Sequence, residues 1–209
     1  MKKRYLFLLI VLALAVLSSC SGPKHYSIKK NMLNELERNN NKATVVFIRH
    51  QSGFGGTHDV AVYDGDMLIG ILSKSGYFAY EADPGEHIFA SYSAKLDFLK
   101  ANIVAGKTYY VQASHQDLVT TLRSKIVAVK RDSDIMNALD QLLPTLNNTE
   151  LTDQGRELYK VRNESNGKFI IDDRAAFFTY RIDFDQARIQ WLQKSKAVQK
   201  VELLPEDGI

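Results

Sequence analysis

From Ala43 to Arg131 the chain is built of short β-branched and aromatic runs, cut at close, regular intervals by turn residues. This texture is that of antiparallel β-proteins, because alternate residues of each run face opposite sides of a sheet. The candidate strands are Thr44 to His50, Asp59 to Tyr63, Met67 to Leu72, Tyr77 to Ala82, His87 to Tyr92, Leu96 to Val104, Thr108 to His115 and Thr121 to Lys130. Three reversals carry recognisable turn chemistry: Asp64-Gly65, Asp83-Pro84-Gly85-Glu86 and Ala105-Gly106-Lys107. Glycine supplies positive φ and proline presets φ in such turns. Strands joined this tightly leave no room for crossover helices, so a parallel sheet is not expected. The expectation is a mainly β fold (α+β overall) whose body is a small antiparallel β-sandwich of about seven or eight strands.

The flanks read differently. Ile28, Met32, Leu33 and Leu36 recur at helical spacing, and the segment stops at Asn39-Asn40-Asn41, predicting a short N-terminal helix over 28–38. Scattered apolar residues on a disordered tether would give the same pattern. Ser133 reads as an N-cap for a helix with Ile135, Ala138, Leu139, Leu142 and Leu143 on one face, closed by Pro144. Later segments predict helices at Asp153–Arg162 and Asp185–Lys194, with apolar runs at Phe169–Ile171 and Phe177–Ile182 between them. The chain therefore divides into residues 1–19, a tether and helix at 20–42, a β-sandwich with a closing helix at 43–146, and a mainly helical C-terminal appendage at 147–209. No internal repeat or low-complexity tract is present.

Residues 1–19 read as an address. Lys2, Lys3 and Arg4 form a positive region, followed by the uninterrupted apolar run Tyr5–Leu17. That run is the length of a signal-peptide core and shorter than the roughly 20 apolar residues a spanning helix needs. Leu17-Ser18-Ser19-Cys20 resembles the lipobox of bacterial lipoproteins, with cleavage between Ser19 and Cys20. The resemblance implies that the Cys20 thiol accepts a diacylglyceryl group and that a further acyl chain, such as palmitate, is added to the new amino terminus. With about 0.8 kcal/mol per buried CH₂, several chains make anchoring effectively permanent. Ser21 follows the cysteine where an aspartate is absent, which by the enteric sorting rule implies the outer membrane, facing the periplasm.

Cleavage would alter the chemistry available to the chain. Taking 19 residues from 209 leaves 190, enough for one domain with a core. The removed segment carries three of the 27 basic residues and none of the 24 acidic ones, so the mature chain has 24 of each and a formal charge of zero. The basic balance of the precursor thus gives no argument for a nucleic-acid partner. Cys20 is the one cysteine, so its acylation would exclude disulfides, thiolate catalysis and cysteine metal sites.

The stretch from Thr44 to about Leu143 resembles a family of small bacterial lipoproteins known as domain of unknown function 2846. The matching parts are the strand Val45 to Arg49, a Gly-rich loop, a Val-Tyr-Asp-Gly hairpin, the aromatic Tyr77-Phe78, the Pro84-Gly85-x-His87 motif and Ala105-Gly106-Lys107-Thr108-Tyr109-Tyr110-Val111. The resemblance implies a compact β-sandwich on a lipid anchor and brings no enzymatic activity or ligand with it.

Few residues compete for a chemical role. Gly53-Phe54-Gly55-Gly56 lacks the Gly-Lys-Ser/Thr ending of a phosphate loop and precedes a strand. His58-Asp59 and His115-Gln116-Asp117 are the close histidine and carboxylate pairs, and His87 lies in the Pro-Gly-x-His motif. A metal site needs three or four such ligands to converge. Solvated rim residues would give the same sequence, and no metal or other cofactor is expected. Asp172-Asp173 and Asp183/Asp185 sit at element boundaries and read as caps. Tyr77, Phe78, Tyr80, Phe89 and Tyr92 read either as ordinary core or as core on one face and a tyrosine contact platform on the other.

Two readings follow. The first is a non-enzymatic envelope lipoprotein, a binding or structural module attached to the membrane by covalent lipid, with an envelope protein or cell-wall component as partner. The alternative is a metal-dependent or glycan-acting hydrolase, which requires at least two of His58, Asp59, His87, His115 and Asp117 within hydrogen-bond reach in a pocket. The sequence does not specify an oligomeric state.

Overall fold

The structure, a computed structural model, describes residues 26–29, 39–50, 59–93, 95–118, 121–163, 169–173, 180–197 and 202–209. Strands dominate it. They are β1 (Tyr26–Lys29), β2 (Ala43–His50), β3 (Val60–Asp64), β4 (Met67–Leu72), β5 (Ser75–Ala82), β6 (Gly85–Tyr92), β7 (Leu96–Ile103), β8 (Thr108–Leu118) and β9 (Thr121–Ala128), then β10 (Asn147–Leu151), β11 (Val161–Asn163), β12 (Phe169–Asp173) and β13 (Tyr180–Asp183). The helices are α1 (Asp134–Leu142), α2 (Asp153–Leu158) and α3 (Phe184–Ala197). The strands form a six-stranded sheet in the order β1-β10-β5-β2-β8-β9, a four-stranded sheet β4-β3-β6-β7 and a three-stranded sheet β11-β12-β13.

The central strand β2 (ATVVFIRH) explains the layering. Val45 and Phe47 point to one face and join Val60, Val62, Phe89 and Leu99 of the four-stranded sheet in a shared core. Val46 and Ile48 point to the other face, where Leu139 and Leu143 of the α1 region cover them. An apolar run without alternation is what a strand buried on both faces requires. The outer face of the four-stranded sheet, with Ala61, Tyr63, Ile71 and Phe98, is covered in turn by Ile171 of β12 and Phe184 of α3.

The expected all-antiparallel arrangement does not hold, because the six-stranded sheet is mixed. β2 pairs with β8 in parallel, Val45 opposite Tyr109, and β10 pairs with β5 in parallel. The physical reason lies in the crossover. Between β2 and β8 the chain does not need a helix, because the four-stranded sheet itself, together with β5, is the connection. The strand count also exceeds the expected seven or eight, since β1 and β10 extend the six-stranded sheet beyond β2–β9.

Local turn chemistry acts as the sequence suggests. The β3–β4 hairpin turns through Gly65 and Asp66, with Gly65 at φ +58 and Asp64 paired to Met67. No residue other than glycine has positive φ among the described residues, so this two-residue loop matches type II′, which places glycine first. Ser133 caps α1, its Oγ accepting from the Met136 N–H at 3.2 Å. Asp183 Oδ1 accepts from the Gln186 N–H at 2.9 Å at the start of α3, a cap as expected.

The flanks add strands that the sequence does not announce. Tyr26–Lys29, where the N-terminal helix was to begin at Ile28, is strand paired antiparallel to β10 (Ile28 opposite Thr149), and residues 30–38 lie outside the described residues. Among the described residues of 147–209, the helices α2 and α3 are accompanied by four strands. The polar NNTEL segment is β10, and three further strands interleave with α2 and α3. Pairing to β1 on one side and β5 on the other overrides the weak strand propensity of asparagine and glutamate.

The last described residues form a strap across the two large sheets. Leu203 is fully buried in the shared core and bridges Ala101 of β7, with the Asn102 N–H donating to Leu203 O at 2.9 Å and the Leu203 N–H to Lys100 O at 3.0 Å. Six residues later Ile209 exchanges both backbone hydrogen bonds with Thr108 of β8, at 2.8 and 3.0 Å. Between them, the buried Asp207 accepts from Lys130 Nζ at 2.6 Å and from the Leu204 N–H at 2.8 Å.

Candidate functional site

The most organised polar cluster sits where the β3–β4 and β5–β6 turns meet. Asp64 ends β3, His87 lies near the start of β6, and Tyr80 comes from β5 in the other sheet. The antiparallel register places Asp64 opposite Phe89, so His87 stands two residues further along the same face and stacks on the Phe89 ring at 5.5 Å. His87 Nδ1 lies 3.0 and 2.9 Å from the two oxygens of Asp64, and Nε2 lies 2.8 Å from the Asp83 backbone carbonyl. The Tyr80 hydroxyl donates to Asp64 Oδ2 at 3.1 Å.

Both ring nitrogens of His87 face acceptors, so satisfying both requires the imidazolium. The hydrogen bond to Asp64 raises the His87 pKa above its ordinary 6.5; burial opposes the shift, and the Asp83 carbonyl adds to it. Burial, with the neighbouring Asp64 carboxylate, also raises the Tyr80 phenol, which therefore stays protonated and donating. This arrangement fixes a proton in place and leaves neither ring nitrogen available as a base.

A group with a raised folded pKa stabilises fully below its unfolded value and loses that contribution as pH rises through the folded value. The protein is therefore expected to lose stability between about pH 6.5 and the raised value, and Asp64→Asn should flatten that decline. The difference should be on the order of 1 kcal/mol, reduced by the partly open rim. Thermal unfolding of both proteins from pH 6 to 9 measures it, and parallel curves would remove His87 as the titrating group.

A second cluster surrounds Arg49, which is fully buried at the end of β2. Its Nη1 donates to the Leu72 carbonyl at 3.2 Å. Burial lowers the guanidinium pKa to about 10, while the Asp59 carboxylate and the Tyr26 phenol act in the opposite direction. Asp59 thus serves a buried cation. It lies at the opposite end of the β3–β6 ladder from His87, since Ala61 pairs with Tyr92 and Asp64 with Phe89. These two candidates do not come together.

The other candidates are placed as follows. His115 and Asp117 lie in β8, opposite Ser124 and Leu122 of β9, and their side chains lie outside the described residues. His58, Ser19, Cys20 and the Gly53–Gly56 loop also lie outside them. Among the described residues no three histidine, cysteine, aspartate or glutamate side chains are grouped to hold a metal ion. Of the aromatic set, Tyr77, Phe78, Phe89 and Tyr92 are buried, and Tyr80 packs against the shared core. They form core on both faces, and the tyrosine platform is not formed. Sequence reasoning assigned Asp64 only to a turn; its place beside His87 depends on the β3–β6 register.

A cavity of about 290 Å³ opens where β4, at the edge of its sheet, passes β5 and β10. Among the described residues no helix is long and apolar enough to cross a membrane. No family model matches the chain, and no curated protein matches it.

Proposed function

We propose that the chain is a cell-envelope lipoprotein, anchored by lipid on Cys20 and held at the outer membrane facing the periplasm, whose β-rich body is a non-enzymatic binding or structural module. The observation that carries this reading is the order Lys2-Lys3-Arg4, Tyr5–Leu17, Leu17-Ser18-Ser19-Cys20. Charge, an apolar run too short to span, small residues and a lone thiol meet at one junction. Strands β2–β9, whose two sheets share one core, suit the small sandwich of the domain of unknown function 2846 kind. The commitment of His87 to structural hydrogen bonds at both nitrogens favours a module over a hydrolase. An envelope protein or cell-wall component is the expected partner.

The test is metabolic labelling with radioactive palmitate in a bacterial host, followed by membrane fractionation. The wild-type chain is expected to carry label and to sediment with outer membrane. Cys20→Ala should lose both label and sedimentation. A Cys20→Ala protein that still sediments with membranes would overturn the anchor.

A further inference from the structure

The cavity between the sheets has an apolar floor and a charged rim. Ile69, Gly70 and Phe78 form the floor. A Cβ at Gly70 would lie 2.4 to 2.7 Å from atoms of the Phe78 ring, so the ring lies flat against the β4 backbone and no side chain from residue 70 fills the space. Lys29, Glu150 and Arg156 stand at the rim. Lys29 Nζ and Glu150 Oε1 neutralise each other at 2.7 Å. Arg156, exposed in the last turn of α2, has no side-chain hydrogen bond or ion pair among the described residues. The rim thus carries one uncompensated positive charge, on the side chain whose planar fork matches a carboxylate.

The geometry points to a binding site for a small monocarboxylate, its anionic group on Arg156 and its apolar body on Ile69, Gly70 and Phe78. At about 30 Å³ for each water-sized unit, the volume admits roughly ten heavy atoms. This is at the small end of ligand pockets. The carboxylate belongs either to a free organic acid or to the C-terminus of a peptide. The inference does not rest on the lipid anchor, so its failure leaves the proposed function standing.

Isothermal titration calorimetry on the full chain in a nonionic detergent tests it, with 4-phenylbutyrate for the free acid, N-acetylvaline as the minimal peptide chain end, and the amide of each as control. At least one acid is expected to bind with Kd of about 1 mM or tighter. Its amide should bind about tenfold more weakly or not at all. Binding of 4-phenylbutyrate alone assigns the site to free acids, and binding of N-acetylvaline alone to chain ends. Arg156→Ala should lose the preference for acid over amide, Arg156→Lys should keep part of it, and Glu150→Gln, by releasing Lys29, should tighten acid binding. Equal affinity for acid and amide, unchanged binding in Arg156→Ala, or no binding of either acid at 10 mM would each overturn the proposal.

Discussion

Phe47→Ala is expected to destabilise the protein by about 3–5 kcal/mol, the cost of removing a large aromatic side chain from a close-packed interior. Phe47 is fully buried at the centre of β2. Its ring stacks on Phe78 of the neighbouring strand at 5.1 Å and meets Phe89 of the facing sheet edge-on at 5.2 Å. One side chain therefore joins a cross-strand pair to a contact between sheets, and its loss leaves a cavity that two paired β-layers cannot close by a local shift. A domain stable by about 5–15 kcal/mol would lose a large share of its margin. Urea unfolding reads the change directly; a loss under about 2 kcal/mol would mean that the layers collapse into the space far more readily than other cores do.

Arg49→Ala is expected to cost about 3 kcal/mol. Removing one member of a buried charged group costs more than the group's net contribution, because the partner is left uncompensated. Here the partners are the Leu72 carbonyl and the nearby Asp59 carboxylate. The cost falls at the low end of the usual range because Asp59 is only half-buried. Arg49→Met, which keeps most of the volume and removes the charge, is expected to recover part of the loss. If Arg49→Ala and Arg49→Met unfold at the same urea concentration, the volume contributes nothing and the whole loss is that of the charge and its hydrogen bond.

These two residues also show what a sequence can disclose about such a fold. The eight runs from β2 to β9 are legible to within a few residues, because turn residues and apolar periodicity are local signals. The partner of β2 is not legible, since its parallel neighbour β8 is chosen by the path of all the strands between them. The same holds for NNTEL, whose composition argues for a loop and whose two neighbours make it a strand. In the polar cluster, His87 stands out within its motif while Asp64 reads as a turn residue. Only the register that sets Asp64 beside Phe89 reveals its second role. Arg49 is hidden for a related reason: a charged residue at the end of an apolar strand suggests an edge reaching water, and burial follows only from what covers it.

The strap at residues 202–209 has a consequence for the order in which the protein is made. Lys107 Nζ donates to the Pro205 carbonyl at 2.8 Å across 98 positions of sequence, and Leu203 fills a place in the core shared by both large sheets. A nascent chain emerging from the ribosome can assemble its hairpins early, yet it has no Leu203 to seat against Ala101 until about a hundred further residues have followed. Long-range closure of this kind slows folding, because chain entropy is lost before the final contacts form. Until then the Asn102 N–H, the Lys100 carbonyl and both backbone groups of Thr108 lack the partners that the strap supplies.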